Sequence, residues 1–542
     1  MSGAFDFGFQ PPYAQAVQAA YAASPIPQVP ASQFTVAGGV SYLGQKYPNW
    51  TSGTNRWLPN ASLVYQINLK TVVRIGYGWF ADTFNSMNSR PGQNGYSQST
   101  STAVSTDNGL TFCCGAGAAN NLSAANPMMN PFPVLGSGQR FLSPYGSSLG
   151  ENILDGQAYT IYPRDYAPAR QQRWKAGVER EITPNQVVEV SYNGSYASYP
   201  FTRSLSYLPG QYWASGNTYD AAEQAAMTAA VNNPFNIANF ASLAQSNPTL
   251  YNYLGSISLF TSKTVQVQQL LRAYPNMAGA LSEADAVRAR NWYQDVEAMF
   301  QRRFSYGFQT SVMYTRAYGR QQWQPNAFNQ SLSWQLNPNI RPNRLVWTTV
   351  WELPFGKGRA FPAHGPLQHI AGGWQLSWVF QNQDGPPINW GNLFCYGSLD
   401  QVVAALNHNA VHSRNIHAWF DPAAVYSNVL NKNNSATGPI PAGFAGFEGR
   451  SAFQPGTYQV RQFPQYVDNL RADGIRNWDA KLSRRFALYE RLNLNLGLDL
   501  LNAMNHTNFS APTVSPTSTN FGMVTAQSGS SRQIQLNMRI EF

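Results

Sequence analysis

The side chains that could do chemistry are few and scattered. His408, His412 and His417 stand close together, and the four-residue spacing of the first two would place them on one helix face, as a divalent metal needs. No Glu stands in a metalloprotease arrangement with them and no Cys is near. A metal site needs matched further ligands, so solvated loop polarity is the stronger reading. Cys113 and Cys114 are adjacent and poorly placed to bridge each other, and Cys395 stands alone. Met128-Met129-Asn130-Pro131 offers no ligand logic. Gly356-Lys357-Gly358 lacks the strand–loop–helix context of a phosphate loop. A hydrolase would need an acid–base or Ser/His set. The best carboxylates for one, Glu179, Glu189, Asp295, Glu297 and Asp499, fall at alternate positions of extended segments. Set along one side of such segments and paired with bases such as Lys175, Arg303 and Arg539, they would be structural charges, because unpaired charges in a partly desolvated interior are costly. The reading is a protein that is not an enzyme, with no catalytic, cofactor-binding or metal-binding residues and no cofactor.

The elements that carry these charges alternate with period 2. From Arg532 to the C-terminus, Ile534, Leu536, Met538, Ile540 and Phe542 share one face, and Gln533, Gln535, Asn537, Arg539 and Glu541 the other. Such a run cannot bury one face as a helix. Leu492, Leu494, Leu496, Leu498 and Leu500 alternate with Asn493, Asn495, Gly497 and Asp499 in the same way. Similar runs pass through Trp174–Glu179, Val188–Asn193, Asp295–Phe304, Phe308–Thr315, Trp374–Gln381 and Trp478–Phe486. The longer ones reach about 10 or 11 residues, beyond the usual soluble strand and matched to a tilted membrane strand. Trp292, Tyr293, Trp347 and Trp351, near strand ends, fit an aromatic girdle at the membrane interface.

Composition agrees. Only 11% of the 542 residues are charged, yet mean hydropathy is −0.34, and aromatics reach 14%. A soluble domain carries about 25% charged residues. The net charge of +10 is spread without a basic block or recognition helix, which argues against nucleic acid. No apolar run of about 18 residues exists, so no transmembrane helix is expected. The first residues lack the basic and apolar stretches of an export signal. An outer-membrane protein must be exported, so the chain is expected to be a fragment of a longer product.

Connection lengths give an independent test. Short links fall at Leu69–Thr71, Thr183–Gln186, Ser305–Gly307 and Ala487–Glu490, with a longer one at Pro354–Gly372. Between them lie long stretches: Asn85–Arg170, Pro200–Arg290, Arg320–Pro342, Pro386–Ile475 and Asn505–Ser531. Short and long alternate, as periplasmic turns and extracellular loops do in an outer-membrane barrel. Residues 1–30 are read as an irregular segment and 31–542 as the barrel domain. The fold class is all-β, an antiparallel transmembrane β-barrel, incomplete, with about 12 strands, a count within the range of such barrels. Tyr219–Val231 and Ala278–Arg288 are expected to be short helices within the long loops, and Ser97–Ser105 and Asn505–Asn520 to be mobile.

Seven segments also carry a family likeness: Lys70–Gly78 (KTVVRIGYG), Asn291–Tyr293 with Phe300–Phe304, Trp351–Arg359 (WELPFGKGR), Gly372–Ser377 (GGWQLS), Trp419–Ala423 (WFDPA), Leu501–Phe509 (LNAMNHTNF) and Ser531–Gln535 (SRQIQ). In this order they resemble the C-terminal barrel of Oar-like TonB-dependent receptors. The likeness runs from about residue 35 to the C-terminus. In that family a carboxypeptidase-regulatory-like domain, a TonB box and a plug precede the barrel, and none is visible here.

The resemblance implies a receptor or transporter that binds or passes a solute across the outer membrane. It implies outer-membrane lipid, an unidentified extracellular ligand and the barrel assembly machinery, recognising the strand that ends in Phe542, as partners. TonB is a partner only if a plug lies upstream. Two other readings remain open: a structural or adhesive barrel whose long loops bind partners, and a soluble secreted β-protein with hydrolase activity.

Overall fold

The computed structural model describes residues 2–42, 56–81, 94–101, 105, 108, 110, 132, 138–139, 141–161, 169–205, 208, 212, 221–278, 281–324, 331–356, 359–361, 368–407, 416–427, 439–455, 461, 463–489 and 491–542. Eleven strands form one continuous wall: β1 (Asn60–Asn68), β2 (Thr71–Ala81), β3 (Arg170–Thr183), β4 (Gln186–Ser204), β5 (Leu281–Ser305), β6 (Phe308–Trp323), β7 (Asn343–Glu352), β8 (Trp374–Gln383), β9 (Ile475–Tyr489), β10 (Leu492–Leu501) and β11 (Gln533–Glu541). Each pairs antiparallel with its sequence neighbour, so the order in space is the order in the chain. Two short strands join the same sheet, Tyr159–Ile161 beside β5 and Ser333–Leu336 beside β6. The sequence count was about 12. Strands β1 and β11 do not pair with each other among the described residues, and the wall is open along that side.

Four of the alternate links are tight, as their spacing in the sequence requires. Tyr306 and Gly307, between β5 and β6, have φ of 50° and 73°. Positive φ at both central residues is the two-residue hairpin geometry whose twist matches that of its strands. At Leu69-Lys70 the Asn68 carboxamide oxygen accepts from Lys70 N at 3.0 Å. Thr183 pairs with Gln186 and Tyr489 with Leu492, and all these turns lie at one end of the wall.

At the opposite end the long connections fold into two caps with cores of their own. The first gathers Tyr13, Val17, Tyr21 and Phe34 with Ile153, Phe235, Phe260 and Leu281. The second is built round Trp390, in ring contact with Phe420, Phe447 and Phe463 at 4.9–5.6 Å.

Three expectations change here. Residues 1–30 are not irregular: Ser2–Asp6 pairs with Gly39–Tyr42, and Ala14–Ala23 is a helix. Its Ala-rich sequence favours a helix, and Ala14, Val17 and Tyr21 recur on its buried side. The helix expected at Tyr219–Val231 is found at Ala221–Thr228. The one expected at Ala278–Arg288 is instead the start of β5, because Leu281–Glu283 is held by Tyr159–Ile161 on one side and by Ser204 and Arg203 on the other. Sheet pairing overrides local helical patterning there. Finally, Asn505–Asn520 is tied down rather than loose: Asn505 Oδ1 accepts from Arg532 N at 3.1 Å, and Phe509 N donates to Asp473 at 3.0 Å.

Candidate functional site

Register fixes which side chains share a face. Across β11, β10 and β9, Leu536 stands opposite Leu498 and Leu498 opposite Leu482. The same row passes through Leu376 and Trp351 to Phe308. Farther along, Val73, Val178 and Val190 adjoin. This face points away from the protein: Leu536 is 83% exposed, Met538 69% and Ile534 63%, far beyond what an apolar side chain in water would show as a row. The neighbouring positions form the opposite, polar face, with Arg74, Lys175, Asn193, Glu297, Ser311, Thr348, Lys481, Asp499 and Asn537. Val346, Val350 and Val379 interrupt it. A strand has period 2, so one wall presents lipid-compatible and water-compatible sides at once.

The five carboxylates singled out from the sequence all lie on the polar face. Glu179 pairs with Arg74 at 3.1 Å, Glu189 with Lys175 at 3.0 Å and Asp499 with Lys481 at 2.9 Å. Asp499 also accepts from Asn537 Nδ2 at 2.5 Å. Asp295 is buried and accepts from Asn193 Nδ2 at 2.7 Å. Of the bases expected to pair with them, Lys175 does so. Arg539 reaches Glu541 of its own strand at 3.4 Å, and Arg303 forms no ion pair among the described residues. This is a polar lining held by cross-strand pairs, and no nucleophile–base pair occurs among the residues named.

Three hollows among the described residues open on it. The largest, about 600 Å³, spans β1 to β5 and is floored by Gly76 and Gly78, with Ser62, Phe80, Arg173, Asn193, Ser195 and Tyr293 around it. A second, about 340 Å³, lies between β6 and β10 beside Ser311, Thr348, Ser377 and Lys481. The third, about 530 Å³, sits near the turn end and holds Glu352, Arg359, Arg485 and Arg539. The girdle expectation is split by the alternation. Trp292, Trp347 and Trp351 face outward, whereas Tyr293 turns into the largest hollow. Trp347 donates to Thr310 Oγ1 at 2.9 Å and meets Trp378 edge-on at 5.2 Å. Sequence reading missed the hollow because its shape depends on where small residues fall among larger neighbours of the adjoining strands; Gly76 and Gly78 were the available signal.

The remaining motifs brace the wall or the caps. Glu352 and Arg359 form an ion pair at 2.6 Å across the β7–β8 turn. Trp419 donates to Arg471 O at 3.0 Å, and Asp421 accepts from Ala423 N at 2.8 Å, inside the second cap. His408, His412, Cys113, Cys114, Met128 and Met129 lie outside the described residues. Cys395 is buried with a free thiol. Among the described residues no group of His, Cys, Asp and Glu could hold a metal.

Comparison with known families now bears on this two-faced wall. The family model described as "Outer membrane beta barrel domain" matches residues 4–535. The chain belongs to that family. As an outer membrane beta barrel domain it resides in the outer membrane, with its apolar face toward lipid. No curated protein matches its sequence. Solved structures similar to the domain include the outer membrane transporter YddB of Escherichia coli, at 9% identity and a TM-score of 0.33, covering 88% of this chain and 39% of that one. The ferripyoverdine receptor of Pseudomonas aeruginosa is 10% identical with a TM-score of 0.32, covering 90% and 33%. BauA, the ferric preacinetobactin receptor of Acinetobacter baumannii, is 8% identical with a TM-score of 0.35, covering 90% and 36%. The domain thus spans less than two fifths of the length of these structures.

Proposed function

We propose that this domain is the lumen-lining wall of an outer-membrane receptor or transporter of the TonB-dependent, Oar-like type, binding or passing a solute. The observation that carries the reading is the pairing of an exposed apolar face with a polar face whose charges are matched across strands. A matched lining keeps water and solute in contact with protein without stranding a charge. Seven motifs in the order of Oar-like barrels support the finer assignment. On this reading the caps face the exterior and meet the ligand. The strand ending in the exposed Phe542 is offered to the barrel assembly machinery, and TonB is engaged only through a plug.

A second reading, adhesion by the caps without transport, draws on their separate cores, which make them rigid surfaces in their own right. Reconstitution into planar lipid bilayers separates the two. A receptor or transporter wall should give a β-rich, heat-modifiable protein with solute-dependent conductance. Identical gel migration with and without heating, and no β-rich circular dichroism, would end both readings.

A further inference from the structure

We infer that the hollow between β1 and β5 is a binding site for a neutral, polyhydroxylated solute the size of a mono- or disaccharide. The inference rests on the lumen reading above and names the ligand class. At about 600 Å³ the hollow falls within the range of small-ligand sites. Its lining has the two parts that recognise a sugar. Phe80 and Tyr293 supply aromatic surface for the apolar face of a pyranose ring, and Asn193, Ser62 and Ser195 supply amide and hydroxyl groups for its rim.

The charges argue against an anion or a cation. Lys175 is paired with Glu189 at 3.0 Å. Arg173 donates through Nε to Gln171 at 2.8 Å, and its guanidinium lies 5.1 Å from the Phe80 ring centroid. Beside the hollow, on the same polar face, Asp295 accepts from Asn193 Nδ2 at 2.7 Å. No carboxylate lines the hollow itself, which leaves a bare metal ion without a ligand set. Gly76 keeps the floor open, since a Cβ built there meets nothing within 4 Å.

That open floor supplies the test. Gly76→Phe would project a ring into the hollow from a strand position where the added Cβ meets no neighbour. Calorimetry on refolded, full-length protein should detect maltose, cellobiose or lactose with Kd of about 1 mM or tighter. Gly76→Phe and Tyr293→Ala should each weaken it tenfold or more. Sulfate and citrate should not compete. If none of the three disaccharides binds up to about 50 mM, well beyond that expected Kd, the inference falls. It falls equally if sulfate or citrate binds instead, or if Gly76→Phe leaves saccharide affinity unchanged. Conductance of the same preparation separates the two levels. Pores without saccharide binding overturn only the ligand class, and no pores overturn the lumen reading beneath it.

Discussion

Asp155 shows how far a single residue can be from what its sequence context discloses. It lies buried in the first cap, where its carboxyl accepts from the Tyr13 hydroxyl at 2.7 Å and meets Asn276 Nδ2 at 3.4 Å. Burial pushes that carboxyl well above the usual carboxylate range, and the hydrogen bonds from Tyr13 and Asn276 do not undo it. A group with a raised folded-state pKa lends stability that is fully present below its unfolded value, near pH 4, and is lost as pH rises through the folded value. The cap should therefore resist protease less at pH 8 than at pH 5. Asp155→Asn keeps an acceptor for Tyr13 and removes the titrating carboxyl. That variant should flatten the pH dependence and strengthen the cap at pH 8 by about 1 kcal/mol. Limited proteolysis across pH decides it, and an undiminished slope in the variant would refute the assignment. None of this was legible beforehand, because Tyr13, Asp155 and Asn276 meet only through tertiary folding. The wall carboxylates were legible because alternation alone assigns a face.

At the scale of the element, β11 compresses the whole argument into nine residues. Leu536 and Gln535 are neighbours near its centre, yet one points to lipid and the other to the lumen side. Leu536→Arg should cost about 2–4 kcal/mol in urea unfolding from lipid vesicles, the scale for a cation on the lipid face near the midplane. Gln535→Arg should cost under about 1 kcal/mol, since it adds a charge to a wetted lining. Equal costs would mean that the two faces have been assigned wrongly. The start of this strand is set by the Leu501–Phe509 motif, whose residues were recognisable in the sequence but not explicable from it. Asn502 sits at φ 49° and donates through Nδ2 to His506 O at 2.9 Å and Ser530 O at 3.1 Å. Its own N–H reaches Asp479 at 2.8 Å. Asn tolerates the left-handed region and can bond locally, so this residue turns the chain out of β10 and fastens it near the beginning of β11.

For the whole molecule, strand polarity constrains how the wall can sit in a membrane. Ten successive antiparallel pairings separate β1 from β11, so these two edge strands run in the same direction. Unpaired backbone N–H and C=O groups cost several kcal/mol each in hydrocarbon, so neither edge can face lipid bare. A direct β1–β11 seam would be parallel, whereas antiparallel seams on both sides require an odd number of further strands between them. Either closure leaves the turns at one end and both caps at the other, because all tight links join the same ends of their strands. Sidedness can therefore be tested independently of how the edges are satisfied. An epitope tag inserted beside Gly443, exposed in the second cap, should bind antibody on intact bacterial cells. The same tag in the turn at Asn185 should bind only after the outer membrane is permeabilised. Antibody reaching both tags on intact cells would place the turns outside and undo the topology. The alternation of link lengths foretold this arrangement. The two cap cores were not foretold, since apolar residues spread through long loops show no period until the fold gathers them.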